Sequence, residues 1–323
     1  MNFEILHPRD QIVTIMERIY NGEMTTISGG NLSILDDNGD IWITPAGIDK
    51  GKLSPADIIC MHPDGSKDGS HLPSSEYPFH KAIYQMRPDL RAIVHAHPPA
   101  IVAYSIAGIA PETHIIPQAN SICGPIGIAP YAIPGSEELG ANIATTLSEG
   151  YNMVILENHG LVAGGHSLLA AFQRMETLDF CARTLIHAKR LGEPRLLTPA
   201  QLNLFSSRQH FLPEFILSKH SSRELELRKD IVEIVHRACV RRLMISTEGV
   251  ISTRVDEHSF LITPTGADRL GLGVEDIVLV RNGSREAGKV PSRSVLLHQK
   301  IYQDHPNINC VITAQCPHAA AYA

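Results

Sequence analysis

One stretch of this chain is written twice. ITPAG at 43–47 recurs as ITPTG at 262–266, and Ile12, Val13, Gly30, Ser33, Leu53 and Asp57 reappear 219 positions later as Ile231, Val232, Gly249, Ser252, Leu272 and Asp276. Past a one-residue deletion, Pro73, Ser74, His80, Ile83, Tyr84 and Pro88 are matched by Pro291, Ser292, His298, Ile301, Tyr302 and Pro306. Agreement at a fixed offset is the mark of a duplicated folding unit, so both stretches must take the same fold. The second copy stops at Ala323, the counterpart of Ser105, and its final AAAYA has no helix cap. Half a unit exposes a sheet edge, so the native protein is expected to continue past Ala323, the alternative being an edge packed on the first domain.

Periodicity gives the elements. Residues 8–21 form an amphipathic helix, β-like runs follow at 31–35, 41–43, 57–61, 92–94 and 153–156, and helical stretches lie at 75–87, 98–107 and 136–149. Leu168, Phe172, Met175, Leu178, Ala182 and Leu185 stripe a helix over 167–191, which Gly192, Pro194 and Pro199 end. The class is α/β. The polar stretch SKHSSRE at 218–224 leads into the second copy, so the expected division is a first domain over 1–195, a helical linker over 196–223 and a partial second domain over 224–323.

With 323 residues, 43% hydrophobic and 19% charged, the chain has apolar surface enough for two cores, which excludes a disordered tail. A net charge of −6 offers no electrostatic footprint for nucleic acid or an anionic membrane. The start, MNFEILHPRD, lacks a signal-peptide layout and no run approaches the ~18 apolar residues of a membrane helix, so a cytoplasmic protein is expected. Six scattered cysteines with no CxxC pair suggest neither a zinc knuckle nor a disulfide framework. Seventeen histidines, however, is a high count.

Two of them lie in VHAHP at 94–98. Alternate residues on a strand share a face, so His95 and His97 present two imidazoles to one ion, although half-exposed strands carry such pairs for structural reasons too. In PSSEYPFH at 73–80, Ser74 and Ser75 read as helix N-cap candidates with Glu76 in the first turn, where capping alone accounts for a carboxylate. Two hydroxyls at a helix start also suit a phosphate. In LENHGLVAGG at 156–165, His159 occupies a turn after an apolar strand, and Gly164 and Gly165 form no dinucleotide fingerprint. Taken singly, each of these leaves a structural reading open.

Together, SGGNLS at 28–33, ITPAG at 43–47, LPSSEYPFHKAIYQMRPDLRAIVHAHP at 72–98, APY at 129–131 and ENHGL at 157–161 resemble the class II aldolase/adducin family, within it the L-fuculose-phosphate aldolase branch. The resemblance runs over about 5–190 and again, in part, over 224–323. It implies a three-layer α/β/α module with a mixed, mainly antiparallel central sheet, here in tandem. It also implies a Zn²⁺ (or another divalent metal) site of His95, His97 and His159, with Glu76 as fourth ligand and catalytic base. Three neutral imidazoles leave zinc its full charge and a replaceable position, the arrangement of a catalytic ion acting as Lewis acid on an enediolate.

The family's phosphate cradle maps onto Asn31, Ala46, Gly47, Ser74 and Ser75. Ala46 departs from the Thr of the nearest aldolases, while Thr265 keeps it in the second copy. A second departure is Ile115, in PETHII at 111–116, where those aldolases carry a proton-donating tyrosine from a neighbouring subunit; no tyrosine lies between Tyr104 and Tyr131. The second copy has Ser294, Thr313 and Gln315 for Glu76, His95 and His97, poor zinc donors, and should bind no metal. His298 and His318 are read as structural, and His62, His71, His114, His166 and His236 as surface or packing residues. The resemblance implies a cytoplasmic homo-oligomer, a tetramer or a dimer of tandem chains, with a small sugar phosphate as its partner. The activity implied is metal-dependent retro-aldol cleavage of a ketose phosphate. Epimerisation or dehydration on the same metal, and a non-catalytic adducin-like interaction module, are the alternatives; glutamate at 76 favours aldolase over the aspartate-bearing epimerases, and the intact ligand set argues against the last.

Overall fold

A computed structural model describes residues 3–207 and 212–323. The chain divides into two compact units between Thr198 and Pro199.

The first unit runs α1 (Pro8–Asn21), β1 (Asn31–Leu35), β2 (Ile41–Ile43), β3 (Ile59–Met61), β4 (Lys67–Asp68), α2 (Tyr77–Met86), β5 (Ala92–Ala96), α3 (Pro99–Ile106), α4 (Pro117–Cys123), β6 (Ile126–Ala129), α5 (Glu137–Ser148), β7 (Met153–Leu156), β8 (Gly160–Gly165) and α6 (Leu168–Lys189). Its eight strands form one sheet in the order β4-β3-β2-β1-β5-β8-β7-β6. Only β6 and β7 pair in parallel. Every residue of β5, β7 and β8 is buried, which requires cover on both faces. On one face Ile12 and Ile15 of α1, Ile101 of α3 and Phe172, Met175 and Leu178 of α6 meet Leu32, Val94 and Ala163. On the other, Phe79 and Ile83 of α2 and Ile143 and Leu147 of α5 meet Ile43, Ile93 and Val154. This is the three-layer α/β/α module. Each such buried side chain contributes about 1.5–3 kcal/mol.

Local chemistry sets the element ends. Pro8 opens α1 at its first turn and Ser167 caps α6 by accepting from the Ala170 N–H. The strand expected from 57 begins at Ile59, because Pro55–Asp57 form a 3-10 turn in which Asp57 accepts from the Ser54 N–H. Helix α2 starts at Tyr77 rather than 75, and Glu76 stands at its N-cap position without capping it. β6, β8 and α4 escaped the periodicity reading; the first two are rich in glycine and alanine, which carry little strand signal.

The second unit runs α7 (Pro199–Ser207), β9 (Glu214–Phe215), α8 (Ser222–Val240), β10 (Val250–Asp256), β11 (Ser259–Ile262), β12 (Val278–Arg281), β13 (Ser284–Glu286), α9 (Val295–Asp304), β14 (Cys310–Thr313) and α10 (Pro317–Ala320). Its sheet order is β14-β10-β11-β12-β13-β9. Read inward from β14, it repeats β5-β1-β2-β3-β4, down to register: Ser33 faces Ile43 as Ser252 faces Ile262. The segment expected as a linker, 196–223, contains α7 and β9, with 208–211 outside the described residues, and β9 joins the second sheet beside β13. Among the described residues no helix is long and apolar enough to cross a membrane.

Candidate metal centre

Three separate elements bring His95, His97 and His159 together. His95 lies on β5, between Asn31 of β1 and Val162 of β8. His97 follows the strand end, its N–H donating to Met24 O. His159 sits on the turn between β7 and β8, where Asn158 adopts a left-handed backbone (φ 55°) that asparagine tolerates and the His159 N–H donates to Leu156 O. Gly160 is required next: a Cβ there would lie 2.6 Å from Ala96 O and 2.8 Å from the His97 ring. The ring centroids are 4.7 Å (His95–His97), 4.9 Å (His95–His159) and 5.0 Å (His97–His159) apart, and one donor atom from each lies within 4.8 Å of the others.

Glu76 completes the group. Its Oε2 is 3.3 Å from His95 Nε2 and its Oε1 4.0 Å from His159 Nε2. The expected cap role is absent; instead the Glu76 N–H donates to Ser74 Oγ, and the carboxylate turns toward the imidazoles. Burial holds the pKa of both His95 and His97 down to about 3, and lowers that of His159. His95 Nδ1 faces the Leu161 carbonyl at 3.0 Å, so this nitrogen carries the one proton of the neutral ring. Nε2 therefore presents a bare lone pair to a carboxylate oxygen. Both His95 Nε2 and Glu76 Oε1 are buried without a hydrogen-bond partner. Acceptors set against one another in this way repel unless a cation lies between them, and three imidazoles with a carboxylate fit a borderline divalent ion.

The cradle residues divide. A bridge between Pro45 and Pro73 sets the 44–47 turn beside Ser74 and Ser75, where Gly47, at φ +67°, and Ser75 are exposed. Asn31 is buried, and its amide is engaged inside the protein: Nδ2 donates to Glu76 Oε2 at 2.6 Å and Oδ1 accepts from His80 Nε2 at 2.5 Å. Sequence reasoning missed Lys50, buried under the turn with Nζ donating to Pro45 O at 2.6 Å and its pKa pulled down to about 8 by burial. A signal existed: its counterpart 219 positions on is the buried Arg269. Ile115 packs half-buried against the core.

His62, expected as a surface or packing residue, has partners: with Asp40 and Cys60 it forms a second group of metal-donor atoms within 4.8 Å. Both its ring nitrogens lie against carboxylates, Asp40 at 2.9 Å and Asp68 at 3.2 Å, and burial raises the Cys60 thiol to about 11. In the second unit the same corner is sewn by Arg228 and Glu286 at 2.7 Å, Glu286 standing in Asp68's place on the sheet. A structural ion pair accounts for it.

The sequence pattern of the Class II Aldolase and Adducin N-terminal domain family matches residues 10–186 and again 229–323. The chain belongs to this family, as an aldolase-type lyase of class II. Among proteins of known activity, it is 33% identical over 192 residues to a 5-deoxy-D-ribulose 1-phosphate aldolase of Bacillus thuringiensis serovar kurstaki, covering 58% of this chain and 89% of the relative. It is 32% identical to a 3-oxo-tetronate 4-phosphate decarboxylase of Pectobacterium atrosepticum, covering 55% and 83%. A solved L-fuculose 1-phosphate aldolase superposes with a TM-score of 0.56 at 33% identity, covering 62% of this chain and 94% of that one.

Proposed function

We propose that the first unit is a zinc-dependent lyase that cleaves a small ketose phosphate. The observation that carries this is the bare His95 Nε2 opposed to the Glu76 carboxylate inside a ring of three neutral imidazoles. His95, His97, His159 and Glu76 would hold the ion, which when bound supplies Lewis acidity to a carbonyl and its neighbouring hydroxyl.

The chain's own groups do the rest. The exposed Gly47 and Ser75, with Ser74 beside them and the Lys50 charge beneath the turn, receive the phosphate and fix which carbons lie near Glu76. Glu76 would take the proton of the hydroxyl two carbons from the carbonyl; the bond between the carbon bearing that hydroxyl and the carbon next to the carbonyl breaks, an aldehyde leaves, and the remaining fragment, which keeps the bonding electrons as an enolate, takes a proton back. Ile115 supplies no proton, so the returning one comes from Glu76 or water. Decarboxylation of a 3-oxo acid phosphate at the same site is the second reading, favoured by the likeness to the decarboxylase and by an Ile115 position without an acid.

The test is a screen of zinc-loaded protein against ketose 1-phosphates and 3-oxo acid 4-phosphates. Dihydroxyacetone phosphate released with an aldehyde is expected. Carbon dioxide instead selects the second reading, and an epimer, or no turnover at all, contradicts cleavage.

A further inference from the structure

We propose that His80 is a positioning residue that, through Asn31, fixes the Glu76 carboxylate; the inference rests on reading Glu76 as cation ligand and proton carrier.

The arrangement follows from two periodicities. Asn31 and Ser33 are alternate residues of β1 and share a face; Glu76, His80 and Tyr84, four apart, share a face of the helix packed over it. The result is a buried chain of short contacts: Tyr84 OH to Ser33 Oγ at 2.7 Å, Ser33 Oγ to His80 Nδ1 at 2.6 Å, His80 Nε2 to Asn31 Oδ1 at 2.5 Å and Asn31 Nδ2 to Glu76 Oε2 at 2.6 Å. Its direction is determined. A carboxylate accepts only, so Asn31 must turn its NH₂ to Glu76 and its oxygen to His80. His80 then donates from Nε2, accepts at Nδ1 from the Ser33 hydroxyl, and Ser33 accepts from Tyr84. His80 is fully buried, stacked on Phe79 at 4.4 Å, and the Phe79 edge meets His95 at 5.7 Å, so the ring has little freedom to turn.

The second unit is an internal control. It keeps the far end, with Ser252 Oγ 2.7 Å from His298 Nδ1 and 2.6 Å from Tyr302 OH. Val250 stands in place of Asn31 and Ser294 in place of Glu76, and His298 Nε2 is left buried with no partner. The serine, histidine and tyrosine thus belong to the fold. The link from the ring to a carboxylate is present only in the copy that has a carboxylate to hold, and without it His298 Nε2 stays buried without a partner.

Two near-isosteric changes separate the ring nitrogens. His80→Gln keeps a donor at the Nε2 position, whereas His80→Asn keeps only the Nδ1 side; Asn31→Val reproduces the second unit. Each variant is measured for zinc affinity of the metal-free chain by chelator competition, for kcat and KM on whichever ketose phosphate the wild type cleaves, and for Tm. His80→Asn and Asn31→Val are expected to weaken zinc about 10- to 100-fold, the usual cost of losing a group that orients a ligand, with kcat falling alongside, while His80→Gln stays within about threefold of wild type. The two His80 variants should have similar Tm. Equal losses in both, following Tm, or no zinc effect in either, overturn the proposal. Wild type that takes up no zinc overturns it together with the metal reading. A zinc difference between the two His80 variants without any turnover supports the relay and counts against the lyase reading alone.

Discussion

At the scale of single residues, chemistry turns on how few partners the central atoms have. Glu76 receives one hydrogen bond, from Asn31, and otherwise faces imidazole nitrogens that burial keeps neutral. Glu76→Gln preserves shape and a ligand oxygen but removes the base, so metal content should survive while turnover falls about 10²–10⁴-fold; unchanged turnover would remove Glu76 as proton carrier. Gly160→Ala forces a Cβ to 2.6 Å from Ala96 O and against the His97 ring, and should lower stability by about 1–3 kcal/mol and loosen metal binding, read as Tm with and without zinc. The candidate ligands were legible in sequence because each sits in a short local pattern: two histidines at strand spacing, a carboxylate after two serines, a histidine between asparagine and glycine. Asn31 toward Glu76, His80 and Lys50 were not. Their partners lie five to about fifty residues away, and for Asn31 and His80 the decisive fact is strand register against a helix, which no local spacing reveals.

Among elements, the sheet is what converges the site: β1, β5 and β8 are neighbours, so Asn31, His95 and the turn before β8 meet at one end. The long helices and several short strands could be read from the sequence, since α6 carries an apolar stripe from Leu168 to Leu185 toward the sheet and β1 carries apolar residues at 32, 34 and 35 just after a glycine pair. β8 could not, because three glycines and an alanine among its six residues leave it with little of the branched, bulky composition that marks a strand. In the second unit, α9 carries His298, whose pKa burial holds at about 4. The unfolded chain accepts a proton near 6.5 that the folded one refuses, so stability present above that pH is lost as pH falls from 6.5 to about 4, by about 2–3 kcal/mol. Urea unfolding followed by circular dichroism should show this slope in wild type and a shallower one in His298→Gln; equal slopes would remove His298 as its source.

For the whole molecule, duplication separates what the fold needs from what the site needs. Both copies keep the paired turns, with Thr265 N–H donating to Val290 O as Ala46 N–H donates to Leu72 O, and both keep a buried basic residue, Lys50 or Arg269. Only the first keeps imidazoles and carboxylate. Trp42, the single tryptophan, lies in the first unit, so zinc should raise the unfolding temperature seen by its fluorescence, since an ion bound only to the folded state stabilises that state. Whether one cation is held by His95, His97, His159 and Glu76 can be read from zinc stoichiometry with X-ray absorption at the zinc edge. One zinc per chain is expected, with nitrogen and oxygen neighbours at about 2.0–2.2 Å and no sulfur, all lost in His95→Ala. A sulfur neighbour at about 2.3 Å, which would point to Cys60 and His62, or zinc retained in His95→Ala, would contradict it.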